Sequence, residues 1–306
     1  MKKFIVKIVL FFLIAAVFDV LSGKAFSYLV DHAKGGDNRR NNYICNETKE
    51  DILIFGSSRA IHHYNPMIIA DSLGMSCYNC GQDGNGAILN YGRYQLIRQR
   101  YAPKLLIYDV SPGFDLLAGD DNHKYLGWLR AYYDREGIPE IFESVDSVEK
   151  YKMLSKMFQY NSNFAQIVSD NVHPMQSEGI KGFRPINGEM DTMKVSKRTV
   201  KKEAYEFDEL KISYINRIIT ESKDTRIIFV VSPIWNGMDT ISLQPVKDIC
   251  KKQDIPFLDF SNSPKYVHHN EYFKDGSHLN AHGADEFTRD LIQDIEKLKV
   301  LDFINQ

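Results

Sequence analysis

The chain has 306 residues and a mass of 35.3 kDa, and its 38 lysines and arginines against 40 aspartates and glutamates give a formal net charge of −2. With 43% hydrophobic, 25% charged and 12% aromatic residues, a disordered polymer, a collagen-like fibre and a multi-span membrane protein are excluded. The near-neutral balance offers no electrostatic reason to expect nucleic acid as a partner, and four cysteines do not make a disulfide scaffold.

The first element is apolar. Met1-Lys2-Lys3 precedes an uncharged run at 8–18, which extends over 4–21 if Lys7 and Asp19 are included. The short run has the length of a signal-peptide core, whereas the longer one approaches a membrane span. Lys7 can snorkel from near one end, and Asp19 lies near the other. A signal anchor over residues 1–24 is expected, uncleaved, with the lysines inside and the rest of the chain exported; a buried amphipathic helix is the competing reading. Residues 31–51 are polar and rich in Asn and Gly, which predicts a linker, placed at 25–50.

From residue 51 apolar runs alternate with helical spacing. Strands are predicted at 52–55, 77–79, 105–108, 226–231 and 257–260, and helices at 66–73, 87–100, 203–222, 243–253 and 281–298. Short apolar strands separated by helices imply a parallel sheet with right-handed crossovers. The expected fold is therefore α/β, a flavodoxin-like doubly wound sheet of five strands with ligands at their carboxyl ends. It occupies residues 51–298, with a C-terminal tail at 299–306. Residues 113–200 break the alternation and are too long for a simple loop, so a largely helical insertion or lid is expected there.

The chemistry gathers at three short motifs. Gly56-Ser57-Ser58-Arg59 follows the first strand, where a serine at a tight strand-to-helix turn projects its hydroxyl from the top of the sheet. Asp275-Gly276-Ser277-His278 precedes the last helix; an Asp three residues before a His can orient one ring nitrogen and leave the other free as a base. Asn79-Cys80-Gly81-Gln82-Asp83-Gly84 follows the second strand at the same sheet edge.

This combination resembles the SGNH (GDSL-like) hydrolase superfamily over about 51–110 and 226–298. Gly56-Ser57-Ser58 stands where that family has Gly-Asp-Ser, Asn79-x-Gly81-x-x-Gly84 resembles its glycine block, and Asp275-x-x-His278 matches its closing block. The resemblance implies Ser58 as nucleophile, His278 as general base and Asp275 as its orienter, with the amides of Ser58 and Gly84 in the oxyanion hole. Ser57 is adjacent, and aligning glycine with glycine selects Ser58. The third strand departs from the pattern: a Gly-x-Asn-Asp turn is replaced by Tyr108-Asp109-Val110-Ser111-Pro112, so Asp109 or Ser111 stands where an asparagine donor is expected. This divergence and the N-terminal anchor resemble the envelope branch of the superfamily, which acts in alginate acetylation and teichoic-acid D-alanylation.

The implied function is an ester hydrolase or O-acyltransferase acting on an acylated glycan or small ester outside the cytoplasm. It needs no cofactor or metal, and a membrane-bound acyl donor is a candidate partner. Arg59, Asp109 and Ser111 are candidate substrate contacts; for Arg59 the competing reading is an exposed helix-start residue. His62, His63, His268 and His269 are further polar candidates at the rim, and Trp128, Tyr132 and Tyr133 serve either sugar stacking or the insertion's own core. His278 and His282 share a helix face with Asp275 nearby, but no carboxylate cluster accompanies them to suit a metal phosphoesterase. Cys77 and Cys80 form a Cys-x-x-Cys read as buried small residues, and Cys45 is free to pair if exported. The alternative from a different class is a non-catalytic SGNH-like domain that binds polysaccharide or scaffolds an export complex.

Overall fold

The computed structural model describes residues 1–161, 163–174, 179–191 and 204–298. The tail at 299–306 and parts of the expected insertion lie outside these residues.

Five strands form one parallel sheet: β1 (Ile52–Gly56), β2 (Cys77–Asn79), β3 (Leu105–Asp109), β4 (Arg226–Val231) and β5 (Phe257–Asp259), in the order β2-β1-β3-β4-β5. This is the doubly wound, flavodoxin-like order. The strands carry continuous apolar runs because both faces are covered. Leu53, Phe55, Leu106, Tyr108, Ile227, Phe229 and Val231 enter one core, whereas Ile52, Ile54, Leu105, Ile107, Ile228 and Val230 enter the other. The period-two alternation divides the side chains between the layers.

The helices of the domain are α3 (Ser58–His63), α4 (Pro66–Leu73), α5 (Ala87–Arg98), α10 (Glu209–Glu221), α11 (Gln244–Gln253) and α12 (Ala281–Lys297). Residues of α5, α10 and α11 fill the first core, and those of α3, α4 and α12 the second. Expected starts and ends shift where a cap decides. The helix predicted from residue 203 is described from Glu209, because the Asp208 carboxylate accepts the Leu210 and Lys211 amides.

The described part of the insertion contains α6 (Pro112–Asp115), a 3₁₀ segment (Asn122–Tyr132), α7 (Ile138–Val145), α8 (Glu149–Lys152), a 3₁₀ turn (Phe158–Tyr160) and α9 (Phe164–Val172). Its two ends meet. The Ala118 amide donates to Glu206 O and the Asp208 amide to Leu116 O, around the antiparallel bridge Leu117–Phe207. The excursion therefore closes at residue 207, beyond the expected boundary of 200. Trp128, Tyr132 and Tyr133 pack against the first core, which answers the choice posed for them: they serve the core.

The N-terminal half requires a correction. Residues 25–50 are not a linker. Helix α1 (Lys2–Asp31) continues past residue 24, and α2 (Gly36–Asn42) and a π-helical turn (Tyr43–Glu47) then pack on the domain. Ile44 and Cys45 are fully buried in the first core. The polar residues read as solvent-facing are inside because each finds partners. Asn38 donates to Asp170 Oδ2, Arg93 donates to Asn41 Oδ1, and the Tyr132 hydroxyl donates to Asn42 Oδ1. All four cysteines are buried and free.

Candidate active site

The carboxyl ends of β1, β3 and β4 share one level, since Gly56 pairs with Asp109 and Asp109 with Val230. Gly56 has φ +143, and a Cβ there would lie 2.7 Å from Asp109 O and 2.8 Å from Ala60 Cβ. Only glycine lets the chain turn this close to β3 and start α3 at once.

The turn separates the two serines. Ser57, in extended conformation at the N-cap position of α3, is buried and does not cap the helix with its side chain; its Oγ lies 2.6 Å from Ser111 Oγ. Ser58 opens α3 and is partly exposed. Its Oγ lies 2.9 Å from His278 Nε2. On the far side of the ring, His278 Nδ1 lies 2.9 Å from Asp275 Oδ2 and 3.1 Å from Oδ1. Asp275 Oδ1 also accepts the amides of Ser277 (2.8 Å) and His278 (2.9 Å). Burial pushes the Asp275 carboxyl up, but the His278 ring, these two amides and the His278 charge outweigh it, leaving the group at about 2. A carboxylate beside Nδ1 selects the tautomer with hydrogen on Nδ1, so the Nε2 lone pair faces the Ser58 hydroxyl.

Two more histidines of α3 frame the ring of His278. His62 meets it edge-on at 5.6 Å and His63 at 6.3 Å. His63 is fully buried, with Nδ1 3.0 Å from Ser232 Oγ and Nε2 accepting the Leu279 amide at 3.0 Å. Burial, then the charges of His278, Arg59 and His62, hold it well below its ordinary value, so it stays neutral. It thereby ties the residue after His278 to the end of β4. His62 lies between Arg184 O, 2.6 Å from Nδ1, and Asp83 Oδ1, 3.2 Å from Nε2. This joins α3 to the loop carrying Gly84 and to the insertion's return.

That loop is held from beneath. Arg40 donates to Asn79 O at 2.8 Å and Gly81 O at 2.7 Å, and Arg93 donates to Cys80 O at 2.9 Å and Gln82 Oε1 at 2.9 Å. Asn79 itself donates to Ala60 O and Tyr64 O, tying β2 to α3. Arg40 lies within the stretch read as a linker, so its role was missed; nothing in its local sequence marks it.

Three candidate substrate contacts are corrected. Arg59 is buried, not exposed at the helix start: it donates to Ser111 Oγ and Val110 O, and its Nε lies 3.5 Å from Asp109 Oδ2. Asp109 is fully buried and accepts from the Tyr64 hydroxyl (2.7 Å) and the Ser232 amide (2.9 Å). Ser111 is consumed by Ser57 and Arg59. The ion pair inside the turn draws all three side chains inward, because a buried charge must be matched. Asp115, not singled out from sequence, lies beneath them and accepts from the Ser111 amide and the Tyr108 hydroxyl. Chiefly through burial, with Asp109 adding, its carboxyl rises to about 7 despite those two donors.

The remaining histidines lie outside this cluster. His268 packs edge-on to Trp235 at 5.0 Å, His269 faces Glu271, and His282 stacks on Tyr272 at 5.4 Å.

No family model matches the chain, and no curated protein does. Solved structures that share its outline include one described as a platelet activating factor from Streptococcus pneumonia. It is 11% identical, covers 95% of this chain and 98% of that one, and has a TM-score of 0.39. Another, described as a lipolytic protein of the G-D-S-L family from Desulfitobacterium hafniense DCB-2, is 10% identical, covers 78% and 96%, and has a TM-score of 0.35. These are distant likenesses and do not assign an activity.

Proposed function

We propose that the chain is a membrane-anchored, serine-dependent enzyme of acyl esters, a hydrolase or an O-acyltransferase, with Ser58, His278 and Asp275 as its triad. The observation that supports this reading is the unbroken contact from Ser58 Oγ through the His278 ring to a charged Asp275.

In the mechanism, His278 Nε2 accepts the Ser58 proton as Oγ bonds to the acyl carbon. Asp275 holds the Nδ1 hydrogen and stabilises the imidazolium that forms. The amides of Ser58 and Gly84 are the donors assigned to the oxyanion; in serine hydrolases one such donor is worth about 10²–10³ in rate. Collapse breaks the ester bond, the leaving alkoxide takes the proton from Nε2, and the acyl group stays on Ser58. Water, or a hydroxyl of an acceptor glycan, then gives its proton to His278 and attacks the acyl carbon. The Ser58 oxygen leaves and recovers the proton. Asp109 takes no part as an oxyanion donor, since its carboxylate faces Arg59, Tyr64 and Ser232.

The substrate proposed is an O-acylated envelope glycan or related ester, with the domain outside the cytoplasm and a membrane-bound acyl donor as a candidate partner. Helix α1, exposed throughout its apolar stretch, supports the anchor. The test is hydrolysis of p-nitrophenyl acetate by the protein, by Ser58→Ala and by His278→Ala. The reading expects both variants to lose activity by roughly 10⁴-fold or more. Equal rates in all three would leave a non-catalytic, glycan-binding domain. Addition of an oligosaccharide, with acyl-sugar sought by mass spectrometry, separates transferase from hydrolase.

A further inference from the structure

Helix α1 has two halves with different surroundings. Every residue from Phe4 to Phe18 is exposed, whereas from Asp19 onward the helix packs against the insertion. Asp19 accepts three hydrogen bonds, from Ser155 Oγ, the Lys156 amide and the Met157 amide. Four residues on, Gly23 is buried, and a Cβ there would lie 2.4 Å from Lys156 Cβ. Further up, Phe26 packs on Tyr160 and Phe164, and Val30 joins Tyr160 and Ile167 in a small core.

The apolar part of α1 is short. Its 15 residues from Phe4 to Phe18 rise about 22 Å at 1.5 Å per residue, whereas the hydrocarbon layer is about 30 Å thick. A bilayer crossed by this helix therefore reaches to Asp19 or beyond it. A carboxylate at that depth is costly unless its lone pairs are filled, and the insertion supplies the donors. Those donors come from a segment that exposes apolar side chains on its outside: Val148 (50%), Tyr151 (63%), Leu154 (78%) and Met157 (38%). Apart from Met1, Leu154 is the most exposed large hydrophobic residue among those described.

We infer that residues 148–157 form a second membrane contact, with Tyr151, Leu154 and Met157 immersed in the interfacial layer of the phospholipid bilayer where α1 leaves it. The inference rests on α1 spanning that bilayer. The contact is mainly apolar, because Lys150, Lys152 and Lys156 each already face a carboxylate, Glu143, Glu149 and Asp134. It therefore requires no anionic lipid. Docking at two points converts α1 from a tether into a stalk: the 13 residues from Asp19 to Asp31 rise about 20 Å along the helix axis away from the membrane contact.

The test uses the full chain in phosphatidylcholine vesicles with an environment-sensitive fluorophore at one introduced cysteine, the native four being buried. Probes are placed by Leu154→Cys, by Phe12→Cys in the apolar half of α1, and by Arg289→Cys on α12, whose side chain is 53% exposed. Lipids brominated near the glycerol end of their chains should quench the probes at 154 and 12 and leave the probe at 289 unchanged. Quenching at 12 without quenching at 154 overturns the second contact while leaving the anchor intact. Quenching at neither position overturns both. Because Leu154 is exposed, Leu154→Glu should fold normally and lose interfacial protection at a Tyr151→Cys probe; full protection there would also contradict the inference.

Discussion

Asp275 is held at about 2 while its side chain remains half exposed, and that combination sets what its replacement should do. Its ordinary value is 3.8, so the native state binds fewer protons than the unfolded chain between those two values. The stability it contributes is present above pH 3.8 and is lost as pH falls through about 2. In Asp275→Asn the melting-temperature gap to the parent protein should close between pH 4 and pH 2, as thermal unfolding would show. Catalytically the same variant should fall by about 10²–10⁴-fold in kcat, because the ring loses its tautomeric bias while Ser58 stays in place. His63 acts without touching the substrate. His63→Ala leaves the Leu279 amide without its acceptor and should cost roughly 1–3 kcal/mol, read by urea unfolding. It should also lower kcat more than it raises KM, since what it disturbs is the seat of His278.

At the scale of elements, the carboxyl edge is assembled from pieces distant in sequence. Helix α3 supplies Ser58, His62 and His63, the turn before α12 supplies His278, and α2 reaches beneath the glycine loop through Arg40. Arg40→Met should strip the donor from two carbonyls and destabilise the fold by about 1.5–3 kcal/mol. If Gly84 is an oxyanion donor, hydrolysis should fall further than stability alone explains, which single-turnover acylation rates on folded protein would resolve. The strands were legible because runs such as 226–231 are apolar on both faces, a signature that survives without context. The motif carrying Ser58 was legible because it directly follows β1, and that carrying Asp275 and His278 because it directly precedes α12. Residues 25–50 were not, because composition reports polarity and not exposure: Asn38, Arg40 and Asn41 are buried by partners 39 or more residues away, Asp170, Asn79 and Arg93. Arg59 misled for the same reason, its partner Asp109 lying on another strand. The insertion defied periodicity because its described helices are short and partly 3₁₀.

For the whole molecule, the sheet, the described part of the insertion and α1 from Asp19 onward pack together, and a buried acid beneath the turn after β3 links stability to pH. Asp115 rises from 3.8 to about 7, so between those values the folded protein keeps a proton that the unfolded chain releases. Its contribution is fully present below pH 3.8 and is lost as pH rises through about 7, at most about 4 kcal/mol for the full span. Asp115→Asn should flatten that part of the stability profile, measured by urea unfolding at pH 4, 5.5 and 7. The same slope in the parent protein and the variant would mean the carboxylate is charged in the native state.

Ser58 is proposed as a nucleophile activated by His278. Reaction with a fluorophosphonate followed by intact and peptide mass spectrometry addresses it directly, because the phosphonyl group stays on the attacking oxygen. One adduct is expected, on Ser58, absent from Ser58→Ala and strongly slowed in His278→Ala. An adduct on Ser57, or no adduct on protein shown to be folded, would contradict it.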